Sequence, residues 1–76
     1  MTRMEEFVIS WVFNLNGKSI QVHDDLFVNG GIDSLNFAEL ICVLEDEFMM
    51  VFDFVNLLDW NSVRTPSGLS LFANLK

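Results

Sequence analysis

Asp24–Phe48 reads DDLFVNGGIDSLNFAELICVLEDEF, and the order of residue types in it decides the fold. Its second half has helical periodicity. Ala38, Ile41, Leu44 and Phe48 recur along one side with Leu40 beside them, while Asn36, Glu39, Asp46 and Glu47 point largely to solvent. Leu35, Phe37 and Cys42 complete an outer face that is partly apolar. Asp33 and Ser34 stand where such a helix begins, because short polar side chains accept from the N–H groups of a first turn. The spacing predicts a helix from about Ser34 to Met49. Ahead of it, Asn29-Gly30-Gly31 marks a turn in which the backbone can take positive φ.

On the N-terminal side, Met4, Val8, Trp11 and Leu15 keep helical spacing, with Phe7 and Val12 widening the stripe. They predict a helix over residues 3–15 that Asn16-Gly17 ends. Residues 17–33 form a long connection, pinned to the core by Ile20, Val22, Leu26 and Phe27; connections of that length in small domains tend to be functional. On the C-terminal side, the run FMMVFDFV fits a buried strand by pattern. A lone strand has no partner, so a turn followed by a short helix around Asn56–Trp60 is expected. Thr65-Pro66 opens a last helix with Leu69, Phe72 and Leu75 as its core stripe. Gly68 inside it weakens it by about 1 kcal/mol relative to Ala. The expectation is one all-α domain over residues 1–76 with four helices, three long and one short.

Apolar residues make up 51% of the 76-residue chain, which is enough for a core and too much for a disordered tail. The net charge is −7, but its placement says more. Between Ser19 and Val63 there is no Lys or Arg, and Asp24, Asp25, Asp33, Glu39, Glu45, Asp46, Glu47, Asp53 and Asp59 give that stretch −9. Such a surface repels nucleic acid and anionic lipid and attracts basic proteins. Cys42 and His23, each the only one of its kind, exclude an internal disulfide and a Cys/His zinc site, and so favour a reducing compartment. The segment FVISWVF imitates a signal-peptide core, yet Glu5 and Glu6 precede it and no small-residue cleavage site follows. No apolar run reaches the length of a membrane span. These features predict a soluble, cytoplasmic chain with no metal site. No nucleophile–base pair is visible either, so no enzymatic activity is expected. Cys42 reads as a half-buried structural thiol, and His23 as a solvated or capping loop residue.

The chemistry lies at Ser34. A helix N-terminus carries unpaired N–H groups and about half a positive charge, which suits a phosphate esterified to a serine there. Alone, Asp-Ser is an ordinary helix cap. Its surroundings change the reading: Leu26, Gly31, the Asp33-Ser34-Leu35 triplet, Glu39-Leu40 and the closing Glu45-Asp46-Glu47-Phe48, in a chain of this length. Together they resemble the acyl carrier protein family, the phosphopantetheine-binding carrier domains, over nearly the whole chain.

The resemblance implies that Ser34 receives 4′-phosphopantetheine from coenzyme A through a phosphopantetheinyl transferase, with Asp33 associated with the metal and that enzyme during transfer. It implies a non-catalytic monomer that delivers an acyl or aminoacyl thioester between a loading ligase and downstream transferases or synthases. The acidic second helix would meet their basic patches through Leu35, Glu39, Cys42, Glu45, Asp46 and Glu47. Two departures stand out. Met49 occupies a place where many members have Gly, so the helix is expected to run on or end differently. The span from Phe48 to Thr65 is longer than in fatty-acid carriers and reads more like stand-alone aminoacyl, D-alanyl-type or secondary-metabolite carriers. Phe37, Phe52, Phe54 and Trp60 would fill the space of a long acyl chain, implying a small or surface-held cargo. The alternative is an unmodified interaction module of the same fold, docking through its acidic helix.

Overall fold

The computed structural model describes residues 1–57 and 59–74. Among them are three α-helices and two 3₁₀ turns: α1 (Arg3–Asn16), α2 (Ser34–Phe48), the turns Phe54–Asn56 and Trp60–Val63, and α3 (Pro66–Asn74). The described part is thus all-helical, as expected, but the short fourth helix is replaced by the two turns.

Helix α1 begins in a capping box. Thr2 Oγ1 accepts from the Glu5 amide (3.1 Å) while Glu5 Oε1 accepts from the Thr2 amide (2.7 Å). It ends at Gly17, whose φ of 77° returns its N–H to the Phe13 carbonyl. Met4, Val8 and Val12 are its buried line, with Trp11 half-buried beside them. Leu15, in the last turn, is exposed rather than part of that line.

Helix α2 departs from the expected stripe. Its buried residues are Leu40 and Leu44, Ile41 and Phe48 are half-buried, and Ala38 is exposed. The face turned to α1 is therefore centred on Leu40 and Leu44, and Phe48 continues it with an edge-to-face contact to Phe7 at 5.8 Å. Phe37 is not on the outer face either; it is half-buried against Phe27, ring centroids 5.4 Å apart. The exposed side of α2 therefore holds Cys42, which is no half-buried thiol. The helix stops at Phe48 although no glycine follows it. Met49 itself takes the left-handed conformation (φ 54°, ψ 52°), and the Met50 amide reaches the Glu45 carbonyl at 3.0 Å.

The segment after α2 is broken by its own aspartates. Asp53 accepts from the Val55 amide (3.2 Å) and Asp59 from the Asn61 amide (3.0 Å). Each closes a local Asx turn that competes with a continuous helix. The predicted helix around Asn56–Trp60 is thereby split into turns on either side of it. Thr65 caps α3 as expected, its Oγ1 accepting from the Gly68 amide at 2.9 Å. Leu69 is buried and Phe72 half-buried, while Leu75 lies outside the described residues. Phe52, Phe54 and Phe72 stack in parallel at 5.5–6.3 Å, joining α3 to the turn segment. Helix α1 packs against both α2 and α3, and Thr2 and Ser70 share a hydroxyl hydrogen bond of 2.8 Å across the latter contact. No described helix is long and apolar enough to cross a membrane.

Candidate attachment site

The long connection is tied down before it reaches Ser34. Ile20, Leu26 and Ile32 are buried in the core. Asp25 organises the middle: its Oδ1 accepts from the Phe27 and Val28 amides (2.8 and 2.9 Å), and its carboxylate meets Arg64 Nε at 2.7 Å and Nη2 at 3.3 Å. The Arg64 hydrogen bond, with the two amides, holds the Asp25 carboxyl below the usual carboxylate range. The same guanidinium lies 4.6 Å from the Phe27 ring centroid, and the Arg64 carbonyl accepts from the Leu26 amide (2.7 Å). At the other end Asn16 Nδ2 donates to the Gly30 carbonyl at 2.8 Å. Gly31 then takes φ 69°, a left-handed step that favours glycine, and turns the chain into α2.

Asp33 is the N-cap of α2. Its Oδ1 accepts from the Asn36 amide at 2.7 Å, and Asn36 Oδ1 accepts from the Asp33 amide at 3.3 Å. Ser34 is the first helical residue, and it is exposed. Among the described residues no group accepts from the Ser34 or Leu35 amide, so the helix presents these donors to solvent beside the Ser34 hydroxyl. Leu35 projects outward with 78% of its surface exposed. A phosphate ester fits this arrangement: an accessible hydroxyl, unused amides and the positive end of the helix dipole.

The residues expected to meet partners do not form one surface. At 3.6 residues per turn, Leu35, Glu39, Cys42 and Asp46 fall within an arc of about 60°, and all four are exposed. Glu45 lies on another side, half-buried, with its Oε2 accepting from the Phe52 amide at 2.8 Å. Glu47 is exposed on a third side.

Phe37, Ala38 and Ile41 follow Ser34 at helical spacing and, with Phe54 and Trp60, line an open groove of about 280 Å³. Of the four aromatic residues expected to fill the interior only Phe52 is buried; Phe37 and Phe54 are half-buried and Trp60 is 56% exposed, so Trp60 walls the groove from outside. A second hollow, between Arg3, Glu6, Phe7, Ser10 and Phe48, lies at the far end of α2. Among the described residues no three His, Cys, Asp or Glu come together as metal ligands, and His23 and Cys42 are both exposed.

The tethers of the loop, Asn16 and Arg64, were not legible as site residues. Their partners are distant in sequence, and the pattern around Asn16 marks a helix end rather than a loop tether.

A family model described as a phosphopantetheine attachment site matches residues 8–67. Neither a curated protein nor a solved structure matches the chain. Members of this family carry covalently attached 4′-phosphopantetheine and act as carriers rather than catalysts. With the match running from within α1 through the loop, α2 and the turn segment to the start of α3, the chain belongs to the phosphopantetheine-attachment-site family, that of the acyl carrier proteins.

Proposed function

We propose that Ser34 is the attachment point and that the protein carries an acyl or aminoacyl group between biosynthetic enzymes. The observation that carries this reading is the exposed Ser34 hydroxyl at the first position of α2, behind a loop tethered at both ends. When bound, the prosthetic arm supplies a terminal thiol that holds the cargo as a thioester. The chain's own residues supply the platform. Asp33 fixes the helix start through Oδ1, and its exposed carboxylate would meet the metal of a transferase. The unused Ser34 and Leu35 amides would donate to the ester phosphate, and the exposed Leu35 would offer apolar contact beside the arm. Glu39 and Asp46, on the same face as Leu35 and Cys42, would meet basic patches on the transferase, a loading ligase and downstream synthases. Such encounters are fast and salt-sensitive. Glu47, exposed on another side of α2, and Glu45, engaged with Phe52, contribute less.

The cargo we favour is small or held at the surface. The Phe52–Phe54–Phe72 stack, buried at Phe52, packs the turn segment onto α3, and the groove along Phe37, Ala38 and Ile41 is open to solvent. The pathway is set by the enzymes that load and unload the arm.

The test is to incubate the protein with coenzyme A, magnesium and a promiscuous phosphopantetheinyl transferase and to measure its mass. A gain of one phosphopantetheinyl group that disappears in Ser34→Ala is expected. Asp33→Asn, which keeps a good cap, should fold normally and be modified more slowly. No gain, under conditions that modify a control carrier, would favour the unmodified interaction module. Octanoyl loading should leave the core resonances in place; shifts throughout the core would overturn the surface-held cargo.

A further inference from the structure

Modification of Ser34 adds a phosphodiester anion next to Asp33, in a stretch with nine acids and no Lys or Arg. The cations outside that stretch are mostly engaged. Arg64 is paired with Asp25 and lies over Phe27. Arg3 lies over the Phe48 ring, at the opposite end of α2 from Ser34. Lys76 is outside the described residues. Lys18 is different. Among the described residues no carboxylate lies within salt-bridge distance of its ammonium.

Its exposed side chain also lies against the attachment loop. A Cβ placed on Gly31 would lie 3.2 Å from Lys18 Cε and 3.7 Å from Cδ, so the lysine stem crosses the Gly31 backbone. Asn16 ties the two backbone segments together beside it: Asn16 Oδ1 accepts from the Lys18 amide (3.0 Å), and Asn16 Nδ2 donates to the Gly30 carbonyl (2.8 Å). Gly31 and Ser34 are three residues apart, a span of at most about 11 Å, and Lys18 already covers one end of it.

From this geometry we infer that Lys18 is the phosphate-positioning residue of the modified protein, its ammonium pairing with the phosphodiester on Ser34. The inference rests on the carrier reading. Lys18 offsets the added charge and restrains the root of the arm over the Gly30-Gly31 turn, while the distal arm stays free. Glycine at position 31 then has a second use beyond its φ, because any side chain there would displace the lysine stem.

The experiment uses the phosphopantetheinylated full chain, confirmed by mass, as wild type, Lys18→Met and Lys18→Arg. Methionine keeps the apolar stem over Gly31 and removes the charge; arginine restores the charge. The readouts are the ³¹P resonance of the phosphodiester and the change in Tm between unmodified and modified protein, each compared within one variant. At about 0.01 M salt, where the screening length is about 30 Å, the ³¹P resonance of Lys18→Met should shift away from wild type and sharpen, and Lys18→Arg should restore it. Modification should lower Tm by roughly 1–8 °C more in Lys18→Met than in wild type, the range for one exposed ion pair in a domain of this size. Both differences should vanish near 1 M salt, where screening falls to about 3 Å. A ³¹P resonance and a Tm change indifferent to Lys18 at low salt overturn the inference and leave the carrier reading intact. Failure of wild type to accept the arm overturns both.

Discussion

Replacing Gly68 with alanine sets two structural forces against each other, and they predict opposite signs. Helix propensity alone favours Ala over Gly in a helix by about 1 kcal/mol. In the folded chain, however, the Cβ would land on the Ser62 carbonyl oxygen, 2.8 Å from the Ser62 carbonyl carbon and 3.0 Å from Thr65 Oγ1. These are backbone and cap atoms, which cannot rotate aside as a flexible side chain can. To make room, the Trp60–Val63 turn and α3 must separate, loosening the buried Val63 and Leu69 and the Thr65 cap. Overpacking of this kind costs about 1–3 kcal/mol, and the rigid neighbours place it at the upper end. Subtracting the propensity gain leaves a net loss of about 2 kcal/mol. For a domain of this size that lowers Tm by roughly 8–16 °C. Urea and thermal unfolding followed by helical circular dichroism measure it directly. A Gly68→Ala variant as stable as wild type, or more so, would refute the close approach of α3 to the preceding turn.

Met49→Gly should do the reverse. Met49 holds φ 54°, a conformation that costs a non-glycine residue about 1–2 kcal/mol, partly offset by the greater freedom of glycine in the unfolded chain. A gain of about 0.5–1 kcal/mol in urea unfolding is expected, and a loss would contradict the cap. Acid should weaken the loop anchor. The Asp25 carboxyl is depressed by Arg64 and the Phe27 and Val28 amides, so its contribution is complete above its ordinary value of 3.8 and is lost as pH falls through the lower folded value. Glu5 in the α1 capping box, depressed mainly by the Thr2 amide, acts in the same sense. Asp25→Asn should therefore flatten the fall of Tm between about pH 4 and pH 2; an unchanged slope would remove Asp25 from the account.

Much of the site was open to reading from local sequence, because helix starts and stops are written in a few neighbouring residues. Asp33 caps α2 through Asn36, three residues on. Gly17 ends α1, and Thr65 caps α3 before Pro66. The Asp-Ser-Leu triplet sits where its pattern places it, at an exposed helix start. The segment from Phe48 to Trp60 was harder, since FMMVFDFV carries no period that separates strand from helix or turn. Its outcome depends on Asp53 and Asp59 closing Asx turns and on the Phe52–Phe54–Phe72 stack, a contact with a helix some eighteen residues away from its other members.

By itself the sequence determined the three long helical segments, the glycine turn before Ser34, the base-free acidic stretch and the family to which they belong. All of these follow from short-range patterns: caps, periodicity and charge order. Tertiary structure decided which side of each helix is inside. It turned the expected stripe of α2 so that Leu40 joins Leu44 in the core while Ala38 is exposed and Ile41 half-buried, exposed Cys42, and separated Glu45 from Glu39 and Asp46. It also made Gly68 a requirement rather than a weakness, tied the loop to Arg64 and Asn16, and laid Lys18 across Gly31. The reason is the same in each case: these outcomes depend on which distant backbone or side chain arrives opposite, and a single helical stripe cannot tell which of its edges a neighbour will cover.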